Sequence, residues 1–274
     1  MNDNAELDFR DRVVLVTGVG RVGQIGNATA RAFGRLGAKL VICDLNAVAV
    51  TERAKEFAAE GIVVQPAAGD LTEPDVARFA VEVALKHFGR LDVLVNIAGG
   101  LTTLGPIEQA TVKDFDREIG INLKTTFVVS QAAIPALTET KGSIVNVASI
   151  AYIQPQANLA VYTAAKAAIA GFTRSLALEL FDRGVRVNAI APGMVRTTDN
   201  VAAAGAEAHY VEMEHITAGV LFLASHAAEA ITGHILPITR GRPVPRLQPA
   251  GWLWSPAPGA AWVTPWPRRW PGEG

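Results

Sequence analysis

Tyr162 and Lys166 are the two residues of this chain best suited to acid/base chemistry. They lie four residues apart in an alanine-rich run that predicts a helix, so both side chains project from one face. A cation beside a phenol stabilises the phenolate and lowers the pKa of the phenol towards neutrality. Ser149 closes an apolar run earlier in the chain, and its hydroxyl would hold a carbonyl or alcohol oxygen beside the tyrosine. The alternative is a helix with an ordinary surface lysine and a half-buried tyrosine.

Composition and charge limit the classes of function that the chain could have. The chain has 274 residues and a formal net charge of −1, which argues against nucleic-acid binding and a polybasic membrane patch. No apolar run reaches the roughly 18 residues that span a bilayer, and the charged start is not a secretory signal. The lone Cys43 is interpreted as a small buried residue of a protein in a reducing cytosol. The five His show no metal-ligand spacing, so no metal site is predicted.

Short Val- and Ile-rich runs alternate with Ala-rich stretches of helical length. This order predicts an α/β fold: a Rossmann-type, doubly wound parallel sheet in one three-layer αβα domain over residues 1–240. Ligands of such sheets bind at the carboxyl ends of the strands. The strands are predicted at Val13–Val16, Leu40–Cys43, Ile62–Val64, Leu91–Val95, Ser143–Val147 and Val185–Ile190, with a last strand in ITGHILP. The helices are predicted at about 24–37, 46–60, 72–88, 112–139 and 160–182.

Four glycines follow the first predicted strand and run into a helix: Gly18, Gly20, Gly23 and Gly26. Such a turn lets the backbone approach a pyrophosphate, and the free N–H groups of the helix start favour its charge. Asp44 ends the second strand, where a carboxylate binds ribose hydroxyls and repels a 2′-phosphate. This favours NAD over NADP, although Arg21 in the glycine loop could pair with a phosphate. A turn or helix-start acid is the alternative for Asp44.

Two further segments end at the same edge of the predicted sheet. Asp70, beyond the third strand, would accept a hydrogen bond from an adenine amino group; alternatively, Asp70 or Thr72 caps the next helix. Asn96, Ala98 and Gly99 end the fourth strand with small residues that would admit a ribose or nicotinamide.

These motifs together resemble the short-chain dehydrogenase/reductase family over roughly residues 8–238. The resemblance is carried by their order and spacing, which chance does not readily produce. The matching motifs are TG at 17–18, the glycines to Gly26, Asp44, Asp70, NIAG at 96–99, Asn122 in INLKTTF, Ser149, YTAAK at 162–166 and APGMVRT at 191–197.

The resemblance implies roles for the four candidate catalytic residues. Ser149 would position the substrate oxygen, and Tyr162 would exchange a proton with it. Lys166 would hold the nicotinamide ribose and lower the pKa of the tyrosine. Asn122 would support a water through which protons reach Lys166; a structural hydrogen bond is the alternative role. Hydride would pass between the substrate carbon and the nicotinamide.

The implied activity is that of an NAD(P)-dependent short-chain alcohol dehydrogenase or ketone reductase, with NAD favoured and a secondary alcohol or ketone as substrate. The alternative is an NAD-binding scaffold or sensor with little turnover. Homodimers or homotetramers built on the helices at 112–139 and 160–182 are expected. The predicted cofactor-binding residues are Gly18, Arg21, Gly23, Gln24, Ile25, Gly26, Asp44, Asp70, Leu71, Asn96, Ala98, Gly99, Tyr162, Lys166, Pro192, Gly193, Val195 and Thr197. The predicted, mostly apolar substrate residues are Leu101, Ala151, Ile153, Gln154 and Met194.

Several stretches depart from the family pattern. The glycine loop is about two residues longer, with Gln24 in place of the middle glycine, so Gly23 is a candidate for that role. Ile97 replaces the second Asn of the family motif, and the stretch after Thr197 is short, which predicts an open pocket.

The last segment, 241–274, is rich in Pro, Trp and Arg: it holds all five Trp and eight of the 15 Pro. Such composition is typical of irregular structure. It is either an interaction tail or the product of a frame change, and the second interpretation is favoured.

Overall fold

A seven-stranded sheet organises the computed structural model, which describes residues 7–241. The strands are β1 Val13–Thr17, β2 Lys39–Asp44, β3 Val64–Ala68, β4 Val93–Asn96, β5 Ser143–Val147, β6 Arg186–Pro192 and β7 Ile235–Ile238. Their order in the sheet is β3-β2-β1-β4-β5-β6-β7, and every neighbouring pair is parallel. The predicted doubly wound sheet is therefore confirmed. Nothing is described of the predicted tail beyond Gly241.

Helices cover both faces of the sheet and give three layers. The helices are α1 Ile25–Arg35, α2 Ala47–Ala59, α3 Pro74–Phe88, α4 Val112–Ile119, α5 Thr125–Thr140, α6 Ala160–Leu180, α7 Thr198–Ala204 and α8 Met213–Ala224. On β1, Val14 and Val16 pack into the layer of α1, α2 and α8, whereas Val13 and Leu15 pack into that of α3, α5 and α6. Burial on both faces explains why the strand sequences are almost continuously apolar.

The third strand was predicted in the wrong place. It was expected at Ile62–Val64 but spans Val64–Ala68, with Pro66 opposite Ile42 of β2. Because β3 lies at the edge of the sheet, Pro66 removes a backbone donor where no further strand needs it.

The strand order reverses between β1 and β4, and this switch point opens a crevice at their carboxyl ends. The Thr17 hydroxyl accepts hydrogen bonds from the backbone N–H groups of Ile97 and Ala98, both at 2.9 Å, and so joins the two strand ends. In the part of the chain that the structure describes, no helix is both long and apolar enough to span a membrane.

Candidate active site

Ser149 and Tyr162 meet at the carboxyl end of β5. Ser149 begins a 3₁₀ turn at Ile150–Tyr152, and its hydroxyl accepts a hydrogen bond of 3.2 Å from the backbone N–H of Ala151. The Ser149 and Tyr162 hydroxyls are hydrogen-bonded to each other. The two predicted hydroxyls therefore lie within reach of one substrate oxygen.

Lys166 lies one turn after Tyr162 on α6, and its side chain is buried. Its Nζ donates a hydrogen bond of 3.0 Å to the carbonyl of Val147 and lies 5.7 Å from the centroid of the Tyr162 ring. Burial lowers the pKa of Lys166 to about 8, against an opposing influence of the Glu118 carboxylate. An ammonium has three N–H donors, so the bond to Val147 leaves two for a ligand or solvent.

The structure does not show the lowered tyrosine pKa that the sequence led us to expect. Burial raises the pKa of Tyr162, the hydrogen bond with Ser149 opposes that rise, and the Glu118 carboxylate adds to it. The prediction was wrong in this structure because desolvation of the phenolate outweighs the other influences. A neutral phenol in this position is suited to donating a proton to a carbonyl oxygen.

Asn122 lies in a π-helical segment, Gly120–Lys124, that joins α4 to α5. Such bulges inside helices are frequent at functional sites. Its side-chain amide donates to the Gly100 carbonyl at 2.9 Å and accepts from the Gly100 N–H at 3.1 Å. Gly99 has φ +137°, and a Cβ there would come within 2.5 Å of the Asn122 Oδ1. Asn122 therefore fixes the backbone that follows β4.

Sequence reasoning missed Glu118, which is fully buried beside this segment. Its carboxylate accepts a hydrogen bond of 3.1 Å from the Asn122 amide. The signal was present, because residues four apart share a helix face. A glutamate in the polar run VKDFDREI nevertheless resembles a surface residue.

The start of α1 suits the pyrophosphate of a dinucleotide. Gln24 precedes the helix in an extended conformation, without a side-chain cap, and the first turn holds no acidic residue. The first N–H groups of a helix need acceptors, and the helix dipole favours an anion there. Gly18 has φ +74°, and a Cβ at Gly26 would lie 2.0 Å from the Gly18 carbonyl oxygen. The predicted glycine cradle thus needs both glycines.

The lengthened glycine loop is joined to α7. Arg21 forms a bidentate ion pair with Asp199, with both contacts at 2.6 Å, and Gln24 donates to the Thr198 hydroxyl at 2.8 Å. Gly23 has φ +72°, and a Cβ there would lie 2.5 Å from the Thr198 methyl group. We call these contacts the loop–α7 clasp. The absence of a side chain at Gly23 therefore lets the longer loop pack closely against Thr198.

Asp44 and Asp70 both end up at the expected sheet edge. The Asp44 carboxylate accepts from the backbone N–H groups of Gly20 and Asn46, at 2.8 and 3.0 Å. Asp70 accepts from the backbone N–H of Thr72 at 2.9 Å, a turn rather than a helix cap. The N-cap of α3 is Glu73, which makes no side-chain cap bond, so the capping alternative was wrong. The Leu71 side chain belongs to the core, which leaves its backbone for a ligand.

Asn96 is nearly buried at the end of β4. Its amide donates to Asn146 and Ser130, at 2.9 and 3.0 Å, while its buried Oδ1 has no hydrogen-bond partner. Ala98 and Gly99 follow after Ile97, and their small size would allow a ligand to approach the backbone there.

Hydrogen bonds to β7 and to α7 fix the segment that follows β6. Gly193, directly after Pro192, donates to the Ile238 carbonyl at 2.9 Å. The buried Val195 accepts from the Asn200 side chain at 2.8 Å, and the Thr197 hydroxyl caps α7 through the Asn200 N–H. The Thr197 hydroxyl keeps its donor for a ligand.

The predicted substrate residues differ in accessibility. Leu101 is 48% and Met194 42% exposed, so both offer apolar surface, whereas Ala151 is buried. Ile153 and Gln154 are partly buried behind the 3₁₀ turn. A cavity of about 210 Å³ lies in the segment from Thr102 to Asp114, but none of the four catalytic candidates lines it. We therefore do not assign it as the substrate site.

Within residues 7–241, no group of three or more His, Cys, Asp and Glu is arranged to hold a metal ion.

Comparisons with known proteins point to one family. A family model described as short chain dehydrogenase matches residues 12–208. A 2,5-dichloro-2,5-cyclohexadiene-1,4-diol dehydrogenase from Sphingobium indicum is 37% identical over 248 residues, which cover 84% of this chain and 95% of that protein. A cyclohexanol dehydrogenase from an Acinetobacter species is 33% identical over 82% of this chain and 92% of its own. A solved 7α-hydroxysteroid dehydrogenase, complexed with NADH and 7-oxo glycochenodeoxycholic acid, aligns with a TM-score of 0.82 and 27% identity, covering 89% and 99% of the two chains.

Proposed function

Because this chain belongs to the short-chain dehydrogenase/reductase family, we propose that it transfers a hydride between NAD(H) and a secondary alcohol or its ketone. The observation that carries the proposal is the meeting of Ser149, Tyr162 and Lys166 at the carboxyl end of β5. A pure dinucleotide-binding scaffold has no need of this set.

Each residue has a defined part in the proposed reaction. In alcohol oxidation, Tyr162 would act in its phenolate form and take the hydroxyl proton, while Ser149 hydrogen-bonds the same oxygen. A nicotinamide cofactor, when bound, would supply the acceptor for the hydride of the carbinol carbon. Lys166 uses its remaining N–H donors on the ribose and on solvent, and Asn122 lies on the proposed path by which the proton leaves. In ketone reduction the protonated Tyr162 gives its proton to the carbonyl oxygen.

The α1 N-terminus would hold the pyrophosphate, and Asp44 would bind the adenosine ribose. Two features support NAD over NADP. A carboxylate at Asp44 repels a 2′-phosphate, and Arg21 already pairs with Asp199. Asp44→Asn is expected to reduce the preference for NAD over NADP.

Ring-bearing secondary alcohols are the proposed starting substrates, since two of the relatives are named for cyclohexanol and a cyclohexadienediol. The exposed apolar side chains of Leu101 and Met194 support a partly apolar substrate. We also propose a homodimer or homotetramer in the cytoplasm. Val112, Phe127 and Leu178 support this assembly, because they leave apolar surface exposed on α4, α5 and α6.

A screen of NAD⁺ reduction over cyclic and open-chain secondary alcohols, with NADP⁺ as the control, tests the proposal. Reduction of NAD⁺ by at least one alcohol, with slower reduction of NADP⁺, is expected. Binding of NAD⁺ without reduction by any alcohol of the panel would favour a scaffold or sensor.

A further inference from the structure

We infer that Asp199 is a positioning residue for the dinucleotide: through the loop–α7 clasp it ties the lid to the glycine loop, so that both contact a bound dinucleotide and delay its release. The lid is the segment of residues 194–212, which contains α7. The inference rests on the proposed function for the identity of its ligand, but its test needs no turnover. Asp199 belongs to none of the motifs that carry the family resemblance.

The position of α7 depends on polar contacts, because none of its seven residues is buried. In the described part of the chain, the α7 side chains that bond outside the lid are those of Thr198 and Asp199, and both bond the glycine loop. The Thr198 N–H also donates to the Gly23 carbonyl at 3.3 Å. Removing one of these contacts should therefore loosen α7 without disturbing the core.

Hydrogen bonds within the lid connect α7 to a predicted cofactor-binding residue. Tyr210 is fully buried, and its hydroxyl lies 2.9 and 2.7 Å from the carbonyl oxygens of Asn200 and Gly205, within and directly after α7. The Asn200 N–H donates to the Thr197 hydroxyl at 3.1 Å. A shift of α7 would therefore displace Thr197 as well.

The glycine loop and the lid flank opposite sides of the switch point. Asp44 ends β2 and the glycine loop follows β1, whereas Tyr162 lies at the end of β5 and the lid follows β6. The glycine loop is thus suited to the adenosine diphosphate half of a dinucleotide, and the lid to the half that reacts beside Tyr162. The clasp joins the two segments across this crevice.

A tie between these two segments acts on the release of a ligand that contacts both. Segments already held at the right separation lose less conformational freedom when the ligand binds. The ligand then leaves only when its contacts on both sides are broken together. Changes at a binding site alter the dissociation rate more than the association rate. Because an exposed ion pair is a weak interaction, a small effect on release is expected.

The Asp199→Asn variant measures this effect. Stopped-flow fluorescence follows the release of NADH when excess NAD⁺ displaces it, with no alcohol present. The dissociation rate should rise about two- to fivefold, and the association rate should stay within about twofold of wild type. At about 1 M salt the difference between the two proteins should shrink, because salt screens exposed ion pairs.

ADP separates the tie from the glycine loop itself. ADP has the adenosine diphosphate half and lacks the nicotinamide half, so it should contact the glycine loop and not the lid. In calorimetry, Asp199→Asn should bind ADP no more weakly than wild type does, while it binds NADH up to about fivefold more weakly. A general weakening of the glycine loop would lower the affinity for both ligands equally.

Three further variants control for charge and position. Glu212→Gln removes an ion pair of 2.9 Å with Arg196 that lies within the lid, and it should leave NADH release unchanged. Asp199→Glu keeps the charge and should restore release to within about twofold of wild type. Thr198→Ala removes the acceptor of the Gln24 amide and should speed release, as Asp199→Asn does.

Unchanged NADH release in both Asp199→Asn and Thr198→Ala overturns the inference, even where the wild type oxidises an alcohol. Equal weakening of ADP and NADH overturns it too, since the clasp would then only support the glycine loop. Faster NADH release in Asp199→Asn, in a protein that oxidises no alcohol, upholds the inference and contradicts the proposed oxidoreductase. Wild-type protein that binds ADP but not NADH contradicts both.

Discussion

Charged side chains are buried both at the amino ends and at the carboxyl ends of the parallel strands, but their hydrogen bonding differs between the two ends. At the amino ends of the strands, Asp92 is 2% exposed and accepts from the Val13 N–H at 2.9 Å and from the Arg90 guanidinium at 2.6 and 2.9 Å. Arg186 begins β6 and donates to the last carbonyls of α8, where a cation is favoured. Those carbonyls belong to Leu223, Ala224 and Ser225.

At the carboxyl ends, the charged groups keep bonding capacity. Lys166 donates to the single carbonyl of Val147, and α1 begins without a side-chain cap. The Asp44 carboxylate accepts from two backbone N–H groups and retains lone pairs for further donors. Burial of charge therefore does not by itself mark a functional site. The candidate functional site is distinguished by hydrogen-bonding capacity that the fold leaves free for a ligand at the carboxyl ends of the strands.

The largest expected effect is the loss of catalysis in Tyr162→Phe. The ring and its packing remain, but the proton donor is gone, so kcat should fall about 10²- to 10⁴-fold while NAD affinity is unchanged. Steady-state rates and calorimetric NAD binding measure the two quantities. Tyr152→Phe is the matched control and should keep its rate. A Tyr162→Phe rate within tenfold of wild type would contradict the assigned role.

Lys166→Met should stabilise the fold while it abolishes turnover. The pKa of Lys166 is about 8 in the folded protein and about 10.5 ordinarily, so at neutral pH the buried ammonium costs on the order of 3 kcal/mol. Between those values the unfolded chain binds more protons, and wild-type stability rises with pH. The advantage of Lys166→Met in urea unfolding should therefore shrink from pH 8 to pH 10.5. A constant difference would contradict the burial effect.

Asp92→Asn should lower the stability of the fold and leave turnover unchanged, the opposite of Lys166→Met. The new amide turns donors towards the Arg90 guanidinium, and the free energy of unfolding should fall by about 2 kcal/mol. The kcat of the folded enzyme should be unchanged, because Asp92 lies at the edge away from the site. Urea unfolding and kinetics on the same preparation check both parts. A lowered kcat would break the proposed division between the edges.

How far the sequence predicted this division differs from element to element. The sheet was predictable because buried parallel strands are almost continuously apolar, and the site motifs were predictable because strand ends converge. The loop–α7 clasp was not, since Arg21 and Asp199 pair across 178 positions of the chain. Edge strand β3 was predicted in the wrong place because Gln65 and Pro66 interrupt the apolar run expected of a strand. The direction of the Tyr162 pKa shift was missed because it depends on how deeply the phenol is buried.

The smallest expected effect concerns the clasp. Asp199→Asn removes an exposed ion pair, whose side chains are 65% and 50% exposed, and such pairs contribute about 1 kcal/mol or less. The KM for NAD should rise by no more than about fivefold. The charge-exchanged double variant, Arg21→Asp with Asp199→Arg, should restore it. Failure of that rescue would show that the clasp does not stabilise the cofactor site.

The proposed hydride transfer is measured by following the carbinol hydrogen of the alcohol into the cofactor. Wild-type protein is incubated with NAD⁺ and secondary alcohols deuterated at the carbinol carbon, cyclohexanol first, and the reduced cofactor is analysed by mass spectrometry. The wild-type protein should yield NADH that carries one deuterium, and Tyr162→Phe should yield none over the same time. Bound NAD⁺ that gains no deuterium from any alcohol of the panel would contradict the proposed hydride transfer.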